Sequence, residues 1–561
     1  MFLKASRIAI AAAIGLVGAA IAAPVPAMAA TTSPVSVGIV VPLSVPAGRD
    51  GFITSAQLET LTSPTGLLTR ELDSIADTNV TIGIDPMIIA SIRLLGSDAP
   101  ESATAWLDRL RGVENDTFAL TYADSDLTLG LQAGSTQVLA PVSFDFAIDP
   151  GVFGAAVEGT PEPTSTPDPG AENPGVPPLP TSATLVEWPY TLTNVAWPQV
   201  DTATADDLTL LGETGYTTAV LNSSNVSRSS EGASLTMIGD VSTVVTDDAL
   251  SALFAATIHA SSSAEWQDAF EVLADAIEAT PRRAGGASVT LSVARGDFDT
   301  ETRLRGTLVA LDNLTTMNTV DLSGILASTP GSGKVLAKPH TEVALQFARS
   351  MLGQEQADAA FSSVAENPLL ITGDRRIRLL AASAPQWNRY PGGWGNEVDG
   401  FLEDSHDLRA SVRITESSTL IFGDRGFIPI NVSNGLDQPV TVYITVKPLT
   451  PLLTIENTRF ELVVEPGSQR RAQIPAVARS NGEVSLGVSM RTGTDVPLGG
   501  TKWVRANVQA GWETPVTVGL GILVFAVFVL GIIRSIRRRR REKAAEEQAE
   551  DDEVIIAELD E

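Results

Sequence analysis

From residue 31 to about residue 328 the chain alternates short apolar runs with longer segments whose apolar residues recur every three or four positions. Val35–Leu43 (VSVGIVVPL), residues 80–86 (VTIGIDP) and residues 117–124 (TFALTYAD) read as strands, nearly continuous in apolar character, as strands buried on both faces are. Between the first two, Leu58, Leu61, Leu68, Leu72 and Ile75 lay one apolar stripe on a single amphipathic helix over residues 55–77. A further helix is expected around residues 101–110. Residues 159–180 interrupt the pattern with prolines too dense for a helix or a sheet interior. The alternation then resumes: strands at residues 183–188, 217–222, 233–238 and 287–294, helices near 205–213, 264–279 and 300–312. Seven or eight such units predict an α/β fold, a (β/α) barrel-like domain over residues 31–328 with a disordered proline-rich insert at 155–182. An open doubly wound sheet is the alternative.

The character changes after that. Residues 341–380 have helical periodicity, so 329–407 is read as a helical connector. Residues 408–510 carry strands of strict inside–outside alternation (428–432, 440–446, 460–464, 471–475, 484–490), with turns at Asn434-Gly435 and Pro466-Gly467. That predicts an all-β sandwich of immunoglobulin-like size. Residues 516–533, VTVGLGILVFAVFVLGII, carry no charge and are followed by Arg534 and Arg537 to Arg541. As a helix they would cover roughly 27 Å, about the thickness of a bilayer's hydrocarbon core. Residues 514–533 are therefore expected to cross a membrane once, with Trp512 at the interface and the arginines on the cytoplasmic side. A buried core helix is the competing reading.

The N-terminus changes the picture further. Lys4 and Arg7 precede an apolar run over residues 8–23 and a small-residue site at Ala27-Met28-Ala29, so residues 1–30 read as a secretory signal peptide. The bulk would then lie outside the cytoplasm and residues 534–561 inside, as an acidic tail with Val554, Ile555 and Ile556 as a possible docking motif. With no cysteine, disulfides, thiolate metal sites and cysteine nucleophiles are excluded. The formal charge is −29, and its concentration in the exported part argues against nucleic acid as a partner.

Candidate chemistry is sparse. In either α/β architecture, sites gather at the C-terminal ends of strands, where Asp85, Asp124 and Asp126 fall. If Asp124 and Asp126 stay in extended chain they share one face about 6.6 Å apart. That would suit an acid–base pair on a glycosidic bond, or a cation; capping of the following helices is the alternative role. Tyr122, Trp188 and Trp197 are aromatic faces near strand ends, usable for sugar binding or as a cover for the sheet. Three histidines, His259, His340 and His406, lie on unrelated segments, so no metal site and no cofactor is expected. No G-x-S-x-G elbow is present, and Gly331–Lys334 (GSGK) lacks the spacing of a phosphate loop and reads as an ordinary loop.

Asp85-Pro86, Tyr122-Ala123-Asp124-Ser125-Asp126-Leu127, Trp197-Pro198 with Asp201, and Arg295 occur in that order. Arg375 to Leu380 with Trp387, and Ile428-Pro429 with Asn431, follow. In this order, between a signal peptide and a terminal span, they resemble a family of actinobacterial single-pass envelope proteins typically encoded beside the lipid II flippase. Members usually have proline at the position of Ser125 and an aromatic motif after the position of Arg295. The resemblance implies an envelope location and a barrel similar to polysaccharide-deacetylase and glycosidase folds. The expected partner is a wall glycan or a peptidoglycan-synthesis protein, with Tyr122, Trp188, Trp197 and Arg295 as the candidate ligand-contacting residues. The resemblance supplies no catalytic residue. The combined expectation is a non-catalytic envelope protein; a hydrolase using Asp85, Asp124 or Asp126 is the alternative.

Overall fold

The computed structural model describes residues 33–154, 179–229, 232–283, 286–295, 303–389, 392–415, 419–422, 425–509 and 513–557. The expected signal peptide, most of the proline-rich insert, and Trp512 lie outside the described residues.

The first part begins with β1 (Val35–Leu43), α1 (Ser55–Leu61), α2 (Leu67–Ile75), β2 (Thr81–Ile84), α3 (Pro86–Leu94), α4 (Glu101–Arg111), β3 (Thr117–Ala119) and α5 (Leu127–Gln132). It continues with α6 (Ser182–Val186), β4 (Val195–Ala196), α7 (Ala205–Glu213), β5 (Thr218–Asn222), β6 (Val226–Arg228), β7 (Leu235–Ile238), β8 (Val241–Thr246), α8 (Asp248–Ile258) and α9 (Ser263–Glu278). It ends with β9 (Ser288–Ser292), α10 (Leu304–Asp312), β10 (Met317–Val320), α11 (Leu322–Leu326) and β11 (Gly331–Val335). Parallel pairings run β3–β2–β1–β9–β8–β5–β4. β10 pairs with the first half of β1, Val35 against Met317, and β2 with the second half, Leu43 against Ile84. Leu192 N–H donates to Thr117 O at 2.9 Å, so the segment leading into β4 bonds directly to β3.

Val40, Phe118, Val195, Val220 and Val244, from five of these strands, pack in one cluster with Leu322 and Ile325 of α11. Gly38 is required there, because a Cβ would stand 2.8 Å from Ile325 Cγ1. The opposite faces of the strands pack against α2, α3, α4 and α8–α10 in a larger core. Burying these runs supplies the main stabilisation, at about 25 cal/mol per Å² of apolar surface.

Several local expectations are corrected. Residues 55–77 form two helices, because Pro64 lacks an N–H and Gly66 starts α2 where a Cβ would meet Leu61 O at 2.2 Å. Residues 183–188 are not a strand. The reciprocal Thr181–Thr184 cap starts α6, and the Arg93 guanidinium donates to the carbonyls of Thr184, Leu185 and Glu187 at its end. Gly331–Lys334 is not a loop but most of β11, antiparallel to β6 and parallel to β7, so the sheet extends past residue 328.

Three helices follow: α12 (Glu342–Ser362), α13 (Pro368–Ala382) and α14 (Gly393–Ala410). Asp358, fully buried on α12, holds them together. It pairs with Arg375 Nε of α13 at 2.9 Å and accepts from Ser405 Oγ of α14 at 2.5 Å, with Arg409 as its third partner.

Residues 412–509 hold β12 (Val412–Thr415), β13 (Thr419–Phe422), β14 (Arg425–Asn434), β15 (Val440–Pro448), β16 (Leu453–Ile455), β17 (Arg459–Val464), β18 (Gln469–Ala478), β19 (Gly482–Arg491) and β20 (Lys502–Gln509). They form two sheets, β12-β14-β18-β16 and β13-β20-β19-β15-β17. Alternate residues such as Ile428, Ile430, Val432, Val442, Ile444 and Ile474 fill one shared core, which Phe361, Val364 and Ile371 of the connector join. Finally, α15 (Glu513–Ala557) contains one apolar segment long enough to cross a membrane. The helix does not stop at residue 533 but runs on through the arginines to Ala557.

Candidate functional site

The segments leaving the C-terminal ends of β1, β3 and β9 meet at a cleft of about 140 Å³. Ser44, Glu71, Asp124, Gln199, Arg295 and Gln386 are its polar lining. Asp124 is placed by a tight turn after β3, in which Ala123 and Asp124 adopt left-handed backbone angles, φ 58° and 48°. The turn ends the extended chain, so Asp124 and Asp126 do not share one strand face as expected. It is held from below by Asp85, whose Oδ1 accepts from Ala123 N–H at 2.9 Å and from Met87 N–H at 2.8 Å. Asp85 thus caps α3, with Pro86 as its first helical residue.

Asp85 is fully buried, and its Oδ2 has no hydrogen-bond partner among the described residues. Burial raises its pKa well above the ordinary carboxylate range, and the nearby Asp124 charge adds to the shift. Its carboxyl is a structural group beneath the cleft.

Asp124 Oδ1 pairs with Arg295 Nε at 3.0 Å, both side chains being largely buried. Arg295 leaves the end of β9, donates through Nη2 to Trp197 O at 2.7 Å, and lies 5.0 Å from the Trp197 ring centroid. Trp197 also packs against Phe118 and opens on its other side to a neighbouring hollow of about 250 Å³ with Tyr190, Leu192 and Tyr216. Gln199 Nε2 is buried at the cleft without a hydrogen-bond partner among the described residues. The cleft therefore offers a guanidinium–carboxylate pair, an amide donor and a second carboxyl in Glu71.

Other expected site residues lie elsewhere. Asp126 caps α5 through Leu129 N–H at 3.0 Å and stands 3.4 Å from His340 Nε2, with Thr128 bridging the two. Trp188 does not reach the cleft: it is buried between the guanidiniums of Arg93 and Arg111, 5.8 and 5.4 Å from its ring. Tyr122 is likewise internal, donating its hydroxyl to Gly51 O at 2.9 Å, with a pKa raised mainly by burial. Sequence reasoning missed Glu71, Gln199 and Gln386; Glu71 is buried on α2 beside Leu68 and Leu72, and nothing in its spacing marks it as a cleft residue. It also missed a polar cluster at the ends of β4, β5 and β8. There Asp201 Oδ1 pairs with Lys338 at 2.8 Å and accepts from Asn222 and Ser224, while Asp248 accepts from Ser224 N–H. Among the described residues no group of three metal-binding side chains converges.

Among solved structures the chain is similar to the alpha-amylase AmyC from Thermotoga maritima, at 8% identity and a TM-score of 0.40, over 67% of this chain and 93% of that one. It is also similar to the 4-alpha-glucanotransferase from Thermococcus litoralis, at 10% identity and 0.39, over 82% and 87%. A segment of 18% matches WR4, a C. elegans MSP family member, across 98% of that chain at 9% identity and 0.14. These likenesses are weak, and no catalytic assignment follows from them. No curated protein matches the sequence. The model of a family of unknown function, DUF6049, matches residues 22–550. The chain belongs to that family.

Proposed function

We propose that this protein is a single-pass receptor of the cell envelope that binds glycan without cleaving it. Its βα portion is read as a distorted (β/α) barrel of the carbohydrate-enzyme kind, with the cleft at its mouth facing the wall. The immunoglobulin-like sandwich stands between that barrel and the span, and the arginine-rich end of α15 lies in the cytoplasm. The observation that carries the reading is the state of Asp124 and Asp85, the two strand-end carboxyls a hydrolase would draw on, Asp124 in the cleft and Asp85 beneath it. A glycosidase needs one carboxylic acid and one carboxylate, both facing the scissile bond. Here Asp124 is committed to Arg295, and Asp85 is fully buried with Oδ1 spent on two backbone N–H groups. An ion pair and an unspent amide, by contrast, suit recognition of hydroxyl and acyl-amide groups.

The test uses the full-length protein in detergent, incubated with purified glycan strands of peptidoglycan. The reading expects strands that are retained and recovered at their original length, with Arg295→Gln reducing retention about tenfold, the loss of one charged hydrogen-bonding group. Shortened strands, absent with an Asp124→Asn/Asp126→Asn variant, would establish the hydrolase instead.

A further inference from the structure

The part of the chain nearest the span differs in charge from the rest. Residues 408–509 contain eleven Lys and Arg against eight Asp and Glu, a net +3 in a chain of −29. Within that part, the outer face of the five-stranded sheet carries an aromatic platform. Lys447, Gly487 and Trp503 are cross-strand neighbours on β15, β19 and β20. The indole lies over Gly487, where a Cβ would come within 3.1 Å of Trp503 Cζ3 and 3.3 Å of Cη2. Glycine there lets the ring lie down on the sheet, yet Trp503 remains 62% exposed.

The neighbours on that face are Ser485, facing Arg505, and Ser489, facing Thr445. Two residues further along, Arg459 lies 4.3 Å from the ring of Tyr443. Four such rows, at about 6.6 Å per two residues, make a flat strip on the order of 20 Å long. Among the described residues Lys447 forms no ion pair, and Arg505 meets only the exposed Glu483 at 3.8 Å.

We infer that this sheet face is a second binding site, for a glycan chain bearing anionic groups. A sugar ring presents polarised C–H groups on one face, and these meet the electron-rich face of a flat indole. Its hydroxyls would reach Ser485, Ser489 and Thr445, and a phosphate or carboxylate on the chain would reach Lys447 and Arg505. A protein partner would instead call for a contiguous apolar centre of several hundred Å². Here one exposed indole stands among short hydroxyl side chains and cations, with the carboxylates of Glu483 and Glu461 confined to the two ends of the strip. The site is separate from the strand-end cleft and does not depend on it.

The test is retention of the full-length protein, in detergent, on purified wall glycan carrying phosphate. Parallel arms use the same glycan after its phosphate is removed, and phosphatidylglycerol vesicles. The expected result is at least tenfold weaker retention for Trp503→Ala, partial recovery with Trp503→Phe, and a salt-dependent loss for Lys447→Ala/Arg505→Ala. Arg295→Gln should leave this phosphate-dependent part unchanged. Thermal unfolding checks that every substitution, Arg295→Gln included, keeps the fold under the binding conditions. The inference is overturned if Trp503→Ala binds as the parent does, if phosphate removal changes nothing, or if vesicles compete equally. Should Arg295→Gln alone abolish retention, the cleft binds glycan and this face does not.

Discussion

Arg295 and Asp124 are 171 residues apart in sequence, yet their side chains meet at 3.0 Å across the ends of β9 and β3. The guanidinium spends another N–H on Trp197 O, so one residue ties three strand ends together. Both side chains are mostly shielded from water, and removing one partner leaves the other's charge uncompensated. Arg295→Leu is therefore expected to lower stability by about 3–5 kcal/mol, whereas Arg295→Leu/Asp124→Leu should lose clearly less. Urea unfolding of the two variants measures this; equal losses would mean that the pair is not coupled.

Asp85 makes stability depend on pH in an unusual direction. Burial raises its folded pKa, so below the ordinary range near 4 both states hold the proton and nothing is lost. As pH rises above that range the unfolded chain ionises while the folded one does not, and stability falls until the folded pKa is reached. Asp85→Asn keeps an oxygen for Met87 and Ala123 but cannot ionise. Its stability advantage over the parent should therefore grow from about pH 4 upward, as denaturant midpoints at several pH values would reveal. A constant difference between the two would show that Asp85 is ionised in the folded protein.

The connector should fail at one point. Asp358→Ala strands Arg375, which is 3% exposed, and releases Ser405 and Arg409 of α14. The expected cost is about 3–5 kcal/mol. Hydrogen exchange should accelerate first across residues 393–410, because that helix loses its tie to α12. Uniform acceleration throughout the chain would show that α14 does not open as a separate unit.

Apolar periodicity made β1, β2, β3, β5, β7 and β9, then β14, β15, β17, β18 and β19, and the apolar segment of α15 readable. These elements are written in local spacing. What escaped depends on distant partners. Residues 183–188 look β-like, but Arg93 terminates a helix there from another segment. The glycines of GSGK look like a loop, but β6 and β7 recruit them as a strand, with Gly333 packed so closely that a Cβ would sit 2.8 Å from Ser227 O. Asp85, Asp124 and Arg295 could be named from their positions at strand ends. Which of them would be buried, capped or paired could not, because burial and pairing arise only when four strand ends converge. Trp188 shows the same limit: it follows α6 rather than a strand, and Arg93 and Arg111, from other segments, flank its buried ring.

The functional account rests on which side of the membrane the folded mass occupies, and protease added to intact cells tests that most directly. The account predicts that the bulk of the chain up to the apolar segment of α15 is digested, leaving a protected fragment that contains residues 534–561. Protection of the bulk, with loss of the last residues only, would contradict it and remove the wall glycan as a ligand.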